Sequence, residues 1–136
     1  MRITPLKIQY FCWGKSMDTT KQITGKIGEK LACQYLKQNG YKIIQQNYWE
    51  KWGEIDIICE KKNKTIFVEV KTMRATEESG LKPEDQMSQS KIFKFKKISL
   101  SYANHHKIDE WQMDMIAVEL DNKNNLKNIR YWENIS

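Results

Sequence analysis

Apolar positions take up a helical period at Ile23, where Ile23, Ile27, Leu31, Tyr35 and Leu36 fall on one stripe, and Asn39-Gly40 supplies the left-handed residue that ends helices. Lys37 in the last turn suits the helix dipole. Residues 1–22 have no such period: an aromatic patch, Tyr10-Phe11-Cys12-Trp13, precedes a polar stretch, and Met1 and Met17 both stand open as the start. Extended segments follow the helix. Tyr41 to Asn47 carries Ile43-Ile44 into a turn at Lys51-Trp52-Gly53, and Ile55 to Cys59 is rich in β-branched residues. Thr65-Ile66-Phe67-Val68-Glu69-Val70-Lys71 is the strongest strand, and the short polar turn Lys61-Lys62-Asn63-Lys64 before it predicts a hairpin. Residues 72–87, polar and holding Gly80 and Pro83, read as a loop.

Ser88 is placed to cap a second helix carrying Ile92, Phe93, Phe95, Ile98, Leu100 and Tyr102 as far as His105. Trp111 to Leu120 reads as a strand, Asp121 to Asn125 as a turn, and Leu126 to Trp132 as a last extended piece. The order α-β-β-β-α-β-β belongs to an α/β class in which helices flank one mixed sheet. Residues 23–136 are expected to form a single domain and residues 1–22 an N-terminal extension.

Composition narrows this further. The chain of 136 residues holds 23 Lys+Arg against 17 Asp+Glu, a net charge of +6, and its arginines are Arg2, Arg74 and Arg130. Lysine is a flexible point charge suited to phosphate oxygens, whereas arginine's planar fork reads base edges. A nucleic-acid partner would therefore be met mostly through its backbone, with weak sequence preference; the same charge is equally that of a solvated lysine surface. The cysteines Cys12, Cys33 and Cys59 are odd in number, widely spaced and beside apolar neighbours, which suits buried thiols in a reducing compartment, the cytoplasm. No apolar run approaches the roughly 18 residues of a membrane span, and the start lacks the marks of a secretory signal.

The candidate chemistry lies in the two hairpin strands. Strand side chains alternate, so Ile66, Val68 and Val70 face a core, while Glu69 and Lys71 stand side by side on the opposite face; Glu54 and Asp56 alternate with Ile55 and Ile57 across the hairpin. Three carboxylates and a lysine would thus gather on one side of a sheet whose other side is buried. Anions held together on a stiff sheet repel unless a cation lies between them, and oxygen ligands favour a hard one, Mg²⁺ or Mn²⁺. Such an ion can bind a scissile phosphate and acidify a water, and a neighbouring lysine can orient that water or offset the developing charge. An isolated Glu-x-Lys is most often a surface ion pair, but aspartate is disfavoured within strands, and Gly53 permits a sharp turn into the acidic segment.

Gly53-Glu54-Ile55-Asp56-Ile57-Ile58 followed by Phe67-Val68-Glu69-Val70-Lys71-Thr72 resembles the signature of the YraN family, bacterial proteins of the restriction-endonuclease-like PD-(D/E)xK superfamily that are similar to archaeal Holliday-junction resolvases. The likeness runs from Thr24 to Trp132 and takes in Gly25, Gly28-Glu29, Ala32, Leu36, Gly40-Tyr41, Asn47, Lys91, Asp114 and Glu133-Asn134. It implies an α-β-β-β-α-β core, metal ligation by Asp56 and Glu69 with the Val70 carbonyl, and Lys71 as the catalytic lysine. It also matches Glu29 to the first-helix glutamate that relatives direct into the site. The helical period instead sets Glu29 apart from the stripe of Ile27, Leu31 and Tyr35, as a solvated residue near the helix start. Glu54 belongs to the motif, as a site residue or as a structural one.

The family commonly has arginine where this chain has Trp49 and Gln112, and directly after Thr72, where Met73-Arg74 stand here. A basic surface on the second helix, Lys91, Lys94, Lys96 and Lys97 interleaved with Phe93 and Phe95, would compensate in gripping DNA, or is a solvated face over an aromatic core. Trp49 and Trp52 are expected to pack against the sheet in preference to stacking on unpaired bases. His105-His106, without a partner at ligand spacing, reads as a helix-end pair in solvent. The expectation is a metal-dependent DNA endonuclease acting on branched or structured DNA, paired as a homodimer. The alternatives are a binding module without turnover and a protein-interaction scaffold.

Overall fold

A computed structural model describes residues 19–74 and 87–136. The aromatic patch at Tyr10–Trp13, Cys12, Met17 and most of the expected loop lie outside these residues, as does the part of the expected extension before Thr19. The elements, in chain order, are α1 (Thr20–Gln38), β1 (Lys42–Glu50), β2 (Gly53–Lys61), β3 (Lys64–Arg74), α2 (Gln89–His105), β4 (Trp111–Leu120) and β5 (Leu126–Trp132). The five strands form one sheet in the order β1-β2-β3-β4-β5. Neighbours are antiparallel except β3 and β4, which are parallel and joined through α2.

Local chemistry explains the boundaries. Helix α1 begins three residues before Ile23 because Thr19 and Gln22 form a capping box: the Thr19 hydroxyl accepts from Gln22 N at 3.1 Å, and the Gln22 side chain accepts from Thr19 N at 2.6 Å. It stops at Asn39 and Gly40, the latter at φ +87°. Ser88 caps α2 as expected, accepting from Lys91 N at 3.2 Å. The β2–β3 hairpin turns on Lys62 and Asn63, both at positive φ (52° and 63°), a backbone twist that matches that of the strands. Strand β3 runs past Lys71 to Arg74, because Thr72, Met73 and Arg74 continue the parallel ladder with Val118, Glu119 and Leu120. The head of the expected loop is therefore strand.

The sheet is covered on both faces, not one. Helix α2 lays Phe95, Ile98 and Tyr102 on Ile58, Phe67, Met113 and Met115; α1 lays Ala32, Cys33 and Leu36 on Ile57, Cys59, Val68, Ile116 and Val118. Each face thus has its own core, with Phe67 in one and Ile66 and Val68 in the other. The buried stripe of α1 is Thr24, Gly28, Ala32, Cys33 and Leu36, while Ile23 is exposed and Ile27, Leu31 and Tyr35 flank the contact. Small residues make that stripe because the helix backbone comes down onto β3. A Cβ built on Gly28 would lie 1.7 Å from Thr72 Oγ1 and 2.7 Å from Thr72 Cβ. On α2, Phe93 and Leu100 fall off the buried stripe and are exposed. Cys33 and Cys59 are free and buried, and burial pushes both thiols up. Among the described residues no helix is long and apolar enough to cross a membrane.

Candidate active site

The β2–β3 ladder runs from the hairpin turn to Ile57 and Val68 and stops there. Past that point the strands fork, and Asp56 spans the opening with its side chain: Oδ2 accepts from Val70 N at 2.8 Å. A short polar residue in a strand, an unfavourable choice by propensity, thus stands in for a missing ladder bond. The fork opens a cleft of about 610 Å³ against the N-terminal half of α1. Glu29 reaches it from the helix, Glu54 and Asp56 from β2, and Glu69, Val70 and Lys71 from β3. Every residue that the family resemblance assigns to metal binding or catalysis lines this one hollow. The acidic group stands at the splayed end of a doubly covered sheet, since the face expected to be open is occupied by a helix.

The electrostatics are those of crowded anions. Burial, and then the charges of Glu29 and Glu54, hold the Asp56 carboxyl well above the ordinary carboxylate range, partly offset by the Val70 N–H. Burial and the charges of Asp56 and Glu54 do the same to Glu69, which Lys91 and Lys71 offset in part. With both carboxyls so raised, the pair resists holding two negative charges at once. Glu29, half-buried, is also raised by burial and by Glu54, and it is hydrogen-bonded to Asn47. Asn47 sits in β1 at φ +53°, between the register pairs Gln46–Ile57 and Tyr48–Ile55, hence across from Asp56. Sequence reasoning missed Asn47 as a site residue; an asparagine in a strand, tolerant of the left-handed region, was the available signal. Glu29 was legible only through the family resemblance, because it flanks a stripe made of small residues.

These shifts have a consequence for stability. The carboxyls ionise near 3.8 and 4.5 when unperturbed and higher when folded. As pH rises between those values the unfolded chain has released protons that the folded one still holds, so this pair costs stability progressively and fully above the folded values. In EDTA, Glu69→Gln is expected to melt near the wild-type temperature at about pH 3, where unperturbed carboxyls are still largely protonated, and increasingly above it as pH rises. Thermal melts of both proteins at stepped pH check this.

The lysines of α2 divide. Lys91 and Lys94 line a second hollow on the α2 side of Glu54 and Glu69, and Lys97 Nζ lies 5.7 Å from the centroid of the Trp52 ring; Lys96 lines neither hollow. Trp49, across the ladder from Glu54, is 66 % exposed and Trp52 is 41 % exposed, so neither is packed on the sheet as expected. The β1–β2 turn that carries Trp52 runs close to α2, for a Cβ added at Gly53 just after it would touch Ile98. Gln112 lies away from the cleft. Its side chain donates to buried Asp114 at 2.8 Å and accepts from Lys64 at 3.2 Å, while Tyr131 and Asn134 N also donate to Asp114. The departure at position 112 therefore concerns the anchoring of β5 and the C-terminal tail rather than a substrate. Arg74 lines the cleft but is engaged, with Asp121 O at 2.8 Å and Thr24 Oγ1 at 3.2 Å, tying α1 to the β4–β5 turn. His105 and His106 are exposed at the end of α2, the latter stacked on Tyr102.

Two helices on opposite faces of a mixed five-stranded sheet, with acidic residues and a lysine at the fork of its central hairpin, make up a restriction-endonuclease-like α/β fold. Within that class the chain belongs to the family described as "Uncharacterised protein family UPF0102", whose family model matches residues 28–118; this is the YraN family of the sequence resemblance. Its relatives named "UPF0102 protein" include one from Syntrophomonas wolfei, 44 % identical over 78 residues, which are 57 % of this chain and 66 % of that protein. One from Syntrophus aciditrophicus is 40 % identical over 99 residues, 71 % of this chain and 76 % of its own length. One from Campylobacter lari is 33 % identical over 115 residues, 85 % of this chain and all of its own length, 100 %.

Proposed function

We propose that this chain is a divalent-metal-dependent endonuclease that hydrolyses phosphodiester bonds in DNA, with branched or otherwise structured DNA as its substrate. The observation that supports it most is the meeting of Asp56, Glu69 and Lys71 in one open cleft at the strand fork. The donors suit a hard cation. They are oxygens only, and both carboxyls are held above their ordinary range by burial and by neighbouring acids, a repulsion that a cation would relieve. Among the described residues no three His, Cys, Asp or Glu side chains enclose a metal by themselves, so the set is two carboxylates and a carbonyl, with its remaining positions toward solvent and phosphate. Asp56, Glu69 and the Val70 carbonyl would hold Mg²⁺ or Mn²⁺, which when bound supplies charge neutralisation at the phosphate and a more acidic water.

The protein's own groups do the rest. Asp56 is fixed by the Val70 N–H, so its free oxygen has one orientation available. Lys71, two residues along the same face of β3 from Glu69, orients the attacking water and offsets charge that develops on the phosphate. Glu29, steadied by Asn47, stands on the opposite wall and can accept a proton or position a water. Lys91, Lys94 and Lys97 meet the flanking phosphates, so binding weakens steeply with salt. Cutting both sides of a branch needs two such sites, hence a symmetric pair of chains. The direct test is incubation of the purified chain with branched and linear DNA, with and without Mg²⁺ or Mn²⁺. Cleavage of branched DNA only when metal is present is expected; no cleavage with either ion, or cleavage equally fast in EDTA, contradicts the reading.

A further inference from the structure

The hollow on the α2 side of the acidic group has a composition that the hydrolytic site alone does not explain. It measures about 170 Å³ and is walled by Trp52, Phe95, Lys91 and Lys94, with Glu54 and Glu69 common to it and to the main cleft. Trp52 keeps 41 % of its surface exposed despite Lys97 near its ring. An indole face left partly in water, beside two lysines and the acidic cleft, is costly unless something flat and anionic covers it.

We infer that this hollow is a subsite for one unpaired nucleotide adjoining the scissile phosphate, its base stacked on Trp52 and its phosphate met by Lys91 and Lys94. The inference rests on the nuclease reading and narrows it to a substrate class: strands with unstacked nucleotides at the cut, as at junctions, flaps and gaps. Trp52 and Glu69 line the same small hollow, and Glu69 also lines the main cleft, so a base on the indole belongs to a nucleotide adjoining the phosphate in that cleft. Bases inside a duplex hide their faces in the stack, and taking one out costs a few kcal/mol unless the strand is already distorted. A Trp face is indifferent to which base it meets, consistent with a surface poor in arginine.

The test is binding without divalent metal, which separates it from turnover. A short labelled thymine oligonucleotide and a duplex of equal length are titrated in EDTA with the wild type, Trp52→Ala and Trp52→Phe. The wild type is expected to prefer the single strand. Trp52→Ala should lose roughly 5- to 100-fold of that binding with duplex binding unchanged, and Trp52→Phe should keep most of it. Equal wild-type affinity for both forms, no binding to either, or equal losses on both in Trp52→Ala overturns the subsite. Cleavage that requires metal but shows no such preference would refute the subsite and leave the nuclease reading standing. Selective single-strand binding without any cleavage would do the reverse.

Discussion

Lys71→Ala is expected to lower metal-dependent DNA cleavage by about a hundredfold to ten-thousandfold while leaving the melting temperature and the salt-dependent binding of DNA close to wild type. The reasoning is positional. Lys71 lines the cleft at the far end of β3 from the hairpin, half-buried, and belongs to neither core cluster. Its removal therefore empties no packed volume. Its ammonium is also a small fraction of the proposed phosphate-binding surface of Lys91, Lys94 and Lys97, so ground-state affinity is expected to change little. What is lost is a donor aimed at charge that appears only as the phosphate is attacked, and such donors act on turnover. Cleavage by Lys71→Ala at the wild-type rate would remove the lysine from the mechanism.

The second large effect is structural and reaches the site from behind. Gly28→Ala would put a Cβ 1.7 Å from Thr72 Oγ1 and 2.7 Å from Thr72 Cβ and Cγ2. Threonine is stiff at χ1 and its Cβ cannot swing away, so either the helix lifts off β3 or the strand bends. Overpacking of this kind costs about 1–3 kcal/mol, enough to outweigh the roughly 1 kcal/mol that alanine gains over glycine within a helix. Because Glu29 is the next residue on α1, lifting the helix also widens the cleft, and cleavage should fall along with the melting temperature. Thr72→Ala in the same chain removes Oγ1 and Cγ2 and should recover part of both losses. A Gly28→Ala protein with unchanged stability and activity would show that α1 does not hold the site closed.

Much of the fold is legible in the chain. The hairpin, the Ser88 cap, the end of α1 at Asn39-Gly40 and the order of elements follow from periodicity and turn chemistry, which act locally. The stripe of α1 is not, because a contact made by Gly28 and Ala32 carries no hydrophobic signal, and larger neighbours such as Ile27 and Tyr35 draw the eye to its margins. That helices flank one mixed sheet follows from the order of elements. Which strand residues meet α1 and which meet α2 does not, because alternation in β3 looks the same whether the second face meets water or a helix. Aromatic residues usually pack, yet Trp49, Trp52 and Phe93 are exposed. At the site, Asp56, Glu69 and Lys71 are readable from motif spacing, whereas the role of Asn47 and the fork that lets Asp56 take the Val70 N–H exist only once the strands diverge.

The most direct measurement is a calorimetric titration of Mn²⁺ into the wild type, Asp56→Asn and Glu69→Gln near neutral pH. One site per chain is predicted for the wild type, with proton release because burial and crowding hold the Asp56 and Glu69 carboxyls above their ordinary range, and no binding is predicted for either variant. A wild-type chain that takes up no Mn²⁺, or variants that bind it as tightly, would contradict a cation site at the strand fork.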